Sequence, residues 1–245
     1  MNVVSYGGGT NSTAMLIGMH ERHIPVDLIL FADTGGEKPH TYAHILEFSE
    51  WLVDRGLPPI KTIRGEQAKQ VEDGSLEGEC LRRKTLPSIA FGFKTCSQKW
   101  KRQPCEAYLK SIGAVDVVTH IGFDFDEPQR AKPYPNVVYP LIEWGWGRDE
   151  CIEAIDNAGL TRPGKSACFF CPSSKPREII QLGKDYPDLL ERALAMEANA
   201  ELTSVKGLGR NFAWADLIRA DRAQLDMFRT PIEIDCGCYD GDSDA

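Results

Sequence analysis

Apolar positions fall into two rhythms along the first sixty residues. Residues 3–6 form a short β-type run, and residues 26–31 form a continuous apolar run of the kind buried on both faces of a parallel sheet. Between them, residues 11–23 carry Ala14, Met15, Leu16, Ile17 and Met19 in a helical pattern that Pro25 closes. Residues 41–54 repeat the helical pattern with Ile45, Leu46, Phe48, Trp51 and Leu52. Gly56-Leu57-Pro58-Pro59 then turns the chain into a third apolar run at residues 60–63. Strand, helix, strand, helix, strand predicts an α/β fold with a doubly wound parallel sheet.

Farther on, residues 67–78 are polar and read as a mobile loop. Residues 95–111 predict a helix with Pro104 near a boundary, and residues 115–122 another buried strand. Residues 123–135 form a loop that carries Glu127 and Arg130. Residues 148–158 predict a helix with Gly159 as its C-cap. Residues 164–175 are a cysteine-bearing loop. Helical patterns at 176–182, 187–200 and 214–222 make the C-terminal part mostly helical. Residues 236–245 are small and acidic, a composition that predicts a frayed tail. No internal repeat or long low-complexity linker interrupts the chain. One domain over 1–245 is expected: an α/β core over 1–160, the cysteine loop and helices over 161–235, and a flexible tail over 236–245.

The 245 residues suffice for a well-buried core, and 42% hydrophobic with 26% charged residues is a globular composition. The net charge of -8 argues against broad, non-specific binding of nucleic acid but leaves room for a local basic groove. Arg82, Arg83, Lys84, Lys94, Lys99, Lys101 and Arg102 form such a basic cluster. The chain opens on its first β run without a basic-then-apolar leader. No apolar run nears the roughly 18–20 residues that span a bilayer. A cytoplasmic protein without a membrane partner is expected, and there its eight cysteines more often bind metal, catalyse or pack than form disulfides.

Ser5-Tyr6-Gly7-Gly8-Gly9-Thr10-Asn11-Ser12-Thr13 follows a predicted strand and opens a predicted helix. Three glycines let the backbone approach a phosphate, and successive N–H groups together with a helix N-terminus attract an anion. Ser5, Ser12 and Thr13 add hydroxyls. No Gly-Lys-Ser/Thr follows, so this is not a Walker A loop, and the glycine spacing is not that of the dinucleotide fingerprint. A plain glycine-rich turn is the simpler alternative.

The loop resembles the PP-loop of ATP pyrophosphatases and PAPS reductases, usually Ser-Gly-Gly-x-Asp-Ser. Phe31-Ala32-Asp33-Thr34-Gly35-Gly36-Glu37, followed by Thr41-Tyr42, is similar to the segment after the second strand in the PAPS reductase branch, where that loop lies beside the adenosine. Gly122 to Arg130, with Asp126-Glu127, resembles the later "G…DE..R" motif, and Tyr139-Pro140-Leu141-Ile142-Glu143-Trp144 its "PL..W" segment. The resemblance covers most of the first 180 residues in order. It implies a PP-loop (HUP-like) fold and an adenine nucleotide held by Ser5, Gly7, Gly8, Gly9, Asn11, Ser12, Thr13, Asp33 and Thr34. One departure is Asn11, where the motif usually has Asp. Asn keeps a carbonyl oxygen but not the charge, which puts direct metal contact from that position in doubt.

Cys168-Phe169-Phe170-Cys171 is a C-x2-C in a loop, and Cys80 and Cys96 lie upstream. Four thiolates suit a 4Fe-4S cluster or a structural zinc, and ligand count does not separate the two. Two buried thiols plus an incidental C-x2-C remain the bland alternative. Cluster-bearing relatives carry Cys-Cys-x2-Arg-Lys-x2-Pro and, much later, C-x2-C. Cys80-x2-Arg83-Lys84-x2-Pro87 resembles the second half of that motif, Glu79 replaces its first cysteine, and Cys96 would supply the missing ligand. The resemblance therefore implies a 4Fe-4S cluster on Cys80, Cys96, Cys168 and Cys171, with zinc as the alternative. DNA phosphorothioation enzymes of the same family are similar in having separated ligands. Nearby Arg82, Arg83, Lys84, Lys99 and Arg102 would offset thiolate and phosphate charge, or would simply face solvent.

Cys105 and Cys151 fall within helical patterns and are expected to be buried bystanders. Asp235-Cys236-Gly237-Cys238 resembles the C-terminal Glu-Cys-Gly-Leu-His whose cysteine attacks substrate sulfur in sulfonucleotide reductases, with Cys238-Tyr239 in place of Leu-His. His40 and His44 stand four apart without a third ligand, so surface or capping roles are expected. His120 ends a buried strand, as either a site or a packing residue. Arg130 is expected to contact phosphate or substrate.

Two enzymatic readings share this site. In one, ATP with Mg²⁺ is cleaved at the α-phosphate, the substrate is adenylated, and it then accepts sulfur near the cluster, with Lys99 and Arg130 stabilising charge. In the other, PAPS or APS binds and Cys236 or Cys238 attacks its sulfur. A non-catalytic nucleotide-binding module with structural zinc is the third reading. A sulfur or electron donor protein is implied. The acceptor stays open among tRNA, DNA and a small molecule, and homodimerisation is left open.

Overall fold

The computed structural model describes residues 1–229, with side chains described through residue 223. Five parallel strands form one sheet in the order β3-β2-β1-β4-β5: β1 (Asn2–Tyr6), β2 (Leu28–Ala32), β3 (Ile60–Ile63), β4 (Val118–Ile121) and β5 (Val137–Val138). In register, Val4 stands beside Ile29 on one side and His120 on the other.

Alternation along each strand divides the side chains between the two faces. Val4, Tyr6, Ile29 and Phe31 pack with Met15, Leu16 and Ile17 of α1 (Thr10–Glu21), Phe48 and Leu52 of α2 (Pro39–Val53) and a later helix carrying Cys151 and Ile155. Val3, Leu30 and Ile63 face the other way. They meet Cys105, Tyr108 and Leu109 of the helix Gln103–Ser111. Helices on both faces make the sheet a doubly wound parallel α/β arrangement. α1 is buried from Ser12 through Met19, which explains why it shows no polar stripe: it is wedged between the sheet and its helical neighbours.

Residues 67–78 depart from the expected mobile loop. They hold most of a 3-10 turn (Glu66–Gln70) and the start of α3 (Leu76–Arg82), with Ala68 and Leu76 buried. Polar spacing hid this element because α3 is anchored by only a few residues and is capped by Ser75, whose Oγ accepts from the Gly78 N–H at 2.9 Å. The predicted helix at 95–111 is in three pieces: α4 (Thr95–Ser97), a π turn (Gln98–Arg102) and α5 (Gln103–Ser111). β4 begins three residues later than expected, because Asp116 has φ 50° and Val115 is 73% exposed. The chain continues through α6 (Pro140–Glu143), α7 (Arg148–Asn157), α8 (Pro176–Asp185), α9 (Pro187–Asn199) and α10 (Trp214–Arg229).

A second core joins α3, α8, α9 and α10 around Trp100, Phe169, Phe170, Met196 and Trp214. Buried Glu197 organises its far end by accepting the N–H groups of Leu208 (2.7 Å), Trp214 (2.9 Å) and Ala215 (2.9 Å). The C-terminal part is thus mostly helical. Among the described residues no helix is long and apolar enough to cross a membrane.

Candidate functional site

Strand order reverses between β1 and β4, which opens a crevice at the carboxyl ends of the two strands. The loop after β1 holds Gly7, Gly8 and Gly9 there. Gly8 has φ 75°, and a Cβ on it would stand 2.9 Å from Thr41 Cγ2, so only glycine sits there without strain. Ser12 Oγ stitches the loop, accepting from the Gly7 N–H at 3.2 Å and donating to the Gly9 carbonyl at 3.1 Å. α1 begins at Gly9 with no side-chain cap and no acidic residue in its first turn. Its first-turn N–H groups therefore have no capping side chain or acid of their own helix, the electrostatic character that suits an anion. Ser5 lies in β1 itself.

Beneath the loop, the hydroxyls of Tyr6 and Thr13 lie 3.0 Å apart and Thr13 Oγ1 lies 3.1 Å from His44 Nε2. His44 is buried, which corrects the expected surface or capping role. Burial holds its pKa below the ordinary 6.5. The i, i+4 spacing carried no sign of this, because the partner hydroxyl comes from α1. His40 instead meets the Tyr186 hydroxyl at 3.1 Å.

The loop after β2 closes one wall. Asp33 is buried, with Arg64 on one oxygen (3.0 and 2.7 Å) and the Tyr42 hydroxyl (2.7 Å) and the Gly35 N–H (2.8 Å) on the other. Thr34 Oγ1 lies 3.1 Å from Cys168 Sγ. Glu37 pairs with Cys168 in an antiparallel bridge, and the Phe169 N–H donates to the Gly36 carbonyl at 2.8 Å. The cysteine loop is thus strapped to the β2 loop, and Ser166 of the same loop donates its hydroxyl to the Gly7 carbonyl. The buried Glu37 carboxylate holds Lys101 Nζ at 3.0 Å. Burial opposes the Lys101 charge, but Glu37 and the neighbouring Cys168 keep its pKa above the ordinary lysine value.

Three of the four candidate ligands share one apolar neighbourhood. Cys96 and Cys168 pack against the apolar cluster that contains Cys80. Burial, then neighbouring Glu79, Cys96 and Cys168, push the Cys80 thiol up to about 12, and burial followed by Glu37 does the same to Cys168. Cys171 is raised by burial and, less, by Cys96. Burial thus disfavours the thiolate form at Cys80, Cys168 and Cys171. Among the described residues no three His, Cys, Asp or Glu side chains close on a point as one metal ion requires. In its chemistry, a set of four thiols fits a four-iron cluster, one thiolate on each iron, and it fits a zinc as well.

Lys99 and Trp100 flank the thiols by another route. Lys99 Nζ and Trp100 Nε1 each donate to Glu79 at 2.8 Å, and Arg83 Nε lies 3.3 Å from the same carboxylate. Burial raises the Glu79 pKa, but these donors outweigh it and the net shift is downward. Glu79, which stands where the related motif has a cysteine, is thus the anchor of a basic group. Cys151 is fully buried, as expected. Cys105, expected to be buried, is half-buried and packs against the cluster of Val3, Leu30 and Ile63.

Across the crevice, Asn11 Nδ2 donates to Asp124 Oδ2 at 2.7 Å and Arg148 Nη1 donates to Asn11 Oδ1 at 3.2 Å. Gly122 permits this approach, since a Cβ there would stand 3.1 Å from the Asn11 backbone. His120 is turned from the crevice, with Nε2 3.1 Å from Asn2 Oδ1 at the amino end of β1, and so takes the packing role. Arg130 is exposed, ion-paired to Glu127 and stacked 4.3 Å from the Phe123 ring centroid. Cys236 and Cys238 lie outside the described residues. Sequence reasoning did not single out Ser166, Asp124 or Arg148, and it named Glu37 only within a motif and Lys101 only within a basic cluster. Asp124 sits two residues before the noted Asp126-Glu127, and Ser166 two before Cys168, but neither had a pattern of its own.

The fold and the crevice define a class: a parallel α/β protein with a glycine loop and a thiol group side by side at the switch point. No protein-family model matches the chain. An uncharacterized nin region protein, ORF290, of Escherichia phage lambda is 28% identical over 156 residues, which are 57% of this chain and 53% of that protein. The chain thus spans about half the length of the curated relative it matches. Among solved structures, U34-tRNA thiolase NcsA from Methanococcus maripaludis with its [4Fe-4S] cluster is similar at TM-score 0.45 and 14% identity, covering 100% of this chain and 78% of that one. Overlap at that level leaves the chemistry to be argued from this chain's own residues.

Proposed function

We propose that this chain is a PP-loop iron–sulfur enzyme that binds ATP on its glycine loop, adenylates a substrate and passes sulfur to it. The observation that carries the reading is the Ser166–Gly7 hydrogen bond, which ties the cysteine loop to the glycine loop. Activation at phosphorus and sulfur delivery would then occur in one crevice.

The N–H groups of Gly8 and Gly9 and the first turn of α1 would receive the phosphates, with Ser12 holding the Gly7 N–H and buried Thr13 bracing the loop from beneath. Thr34 and the backbone beside Asp33 would line the adenosine side, Asp33 itself being occupied in shaping that loop. A substrate oxygen attacks the α-phosphorus and pyrophosphate leaves, with Mg²⁺ accompanying the nucleotide. Sulfur then displaces AMP: the new bond to sulfur forms as the bond to the activated oxygen breaks. Lys99 and Arg130 would stabilise charge only after leaving Glu79 and Glu127. Cys80, Cys96, Cys168 and Cys171 would hold the 4Fe-4S cluster, which when bound supplies a site for sulfur. A sulfur donor is required, and tRNA, DNA and small molecules are the acceptor classes to screen.

The test begins with oxygen-free purification and measurement of iron and sulfide. Roughly four of each per chain support the reading, whereas one zinc and no iron refute it. Pyrophosphate release from ATP with an acceptor supports the adenylation step. Sulfite release from PAPS or APS, lost on removal of Cys236 and Cys238, would replace it with the reductase reading.

A further inference from the structure

We propose that Arg148 binds the phosphate chain of the nucleotide, a role that rests on the nucleotide reading of the glycine loop. Arg148 opens α7, and its side chain is exposed. It reaches across the crevice to the first turn of α1, where Nη1 donates to Asn11 Oδ1 at 3.2 Å. It makes no ion pair among the described residues, although Arg64, Arg83, Arg102, Arg130, Arg162 and Arg192 all do. One of its five N–H donors is used on Asn11, and the rest of the fork remains available.

The sign of the charge supplies the argument. A cation beside a helix N-terminus is unfavourable, because both ends are positive. α1 has neither an acidic residue in its first turn nor a side-chain cap to relieve this. Asp124 relieves part of it from the buried side, through Asn11. The exposed guanidinium still stands beside that uncapped first turn, next to the loop that carries Gly8 and Gly9. A polyphosphate placed between them would be bonded from both sides, in the geometry for which a guanidinium fork is suited. The N-terminus of α7 is not the anion site, because Glu150 accepts the Gly147 N–H at 2.8 Å and Asp126 accepts the Arg148 N–H at 2.7 Å.

The arrangement also accounts for Asn11. A neutral amide can donate to Asp124 and accept from Arg148 at once. A carboxylate there would meet Asp124 with like charge and would capture the guanidinium that phosphate needs.

The test is calorimetric titration of the full chain with ATP and with AMP, comparing the unaltered protein with Arg148→Gln and Arg148→Lys. The glutamine variant should lose about tenfold or more in ATP affinity while AMP affinity changes less than about twofold, and lysine should recover part of the loss. Equal losses for ATP and AMP, or no loss for either, overturn the role of Arg148 while leaving the nucleotide site intact. Absence of ATP binding by the unaltered protein overturns the nucleotide site and Arg148's role together.

Discussion

The hydroxyl of Ser166 donates to the carbonyl of Gly7, across 159 positions of chain. It also lies 3.5 Å from the Glu37 carboxylate, so one small side chain touches the glycine loop and the wall that carries Cys168. Ser166→Ala should destabilise the fold by about 1 kcal/mol, the usual net worth of one intramolecular hydrogen bond. The midpoint of urea unfolding reads this. An unchanged midpoint, with unchanged amide exchange at Gly7 to Gly9, would mean that the two loops are held together elsewhere.

Gly8 and Gly56 form a natural comparison. Both have φ near 75°, but a Cβ on Gly8 would press on Thr41 at 2.9 Å while one on Gly56 meets nothing within 4 Å. Gly56→Ala should cost only the left-handed strain, about 1–2 kcal/mol, and leave nucleotide binding intact. Gly8→Ala should pay that strain and also distort the loop, lowering ATP affinity by at least about tenfold. Equal nucleotide affinities for the two variants would separate the loop from the ligand.

What the sequence disclosed, and what it hid, follows from the range of the interactions. β1, β2, α1 and α2 were legible because apolar periodicity is local, and Val3 and Val4 had to face opposite ways. The glycine loop was legible because three consecutive glycines mark a turn, and at Gly8 the backbone takes a conformation that other residues rarely adopt. α3 was missed, since its stability comes from Leu76 and Cys80 entering a core built by distant helices. His44 was misplaced because its partner, Thr13, is 31 residues away. Asn11 was seen as a departure without its reason. That reason lies at Asp124 and Arg148, which no spacing rule connects to it.

The cysteines divide into two sets with different expected behaviour. Cys80 lies in one apolar cluster with Cys96 and Cys168 packed against it and Cys171 three residues beyond Cys168, whereas Cys105 lies under the sheet and Cys151 lies in the core on its opposite face. Single Cys→Ser changes in the first set should each lower iron content by roughly half or more after anaerobic purification. Cys105→Ser and Cys151→Ala should leave iron unchanged, with Cys151→Ala costing stability alone. Iron lost equally from all six would point to general unfolding, and melting curves would show it.

Stability should fall as the solution becomes acidic, for a reason visible in the fold. His40, His44 and His120 are each held below the ordinary 6.5, in every case chiefly by burial. The unfolded chain therefore takes up protons on these rings at a higher pH than the folded chain does. Between the depressed folded values and 6.5 it binds more protons, so stability rises with pH through that window and is lost as pH falls through it. Urea midpoints should drop between about pH 7.5 and pH 5.5, and His44→Gln should shallow that drop. A slope unchanged by the substitution would remove His44 from the effect.

Asn11→Asp tests the charge logic of the crevice by stability instead of ligand binding. The Asn11 amide nitrogen stands 2.7 Å from the buried Asp124 carboxylate. Replacing it with a second carboxylate converts a hydrogen bond into a like-charge contact at low exposure, where neither group is well hydrated. The expected cost is about 1–3 kcal/mol near neutral pH, shrinking on acidification as one carboxyl takes up a proton. Asp124→Asn alone should cost less, since an amide at 124 can still accept from Asn11 through its carbonyl oxygen. The double variant Asn11→Asp with Asp124→Asn exchanges donor and acceptor across the same gap and should recover most of the loss. Non-additivity of that sign, measured as a double-mutant cycle, belongs to residues in direct contact. Simple additivity would mean that the two side chains do not meet in solution, and the account of why asparagine stands at this position would fall with it.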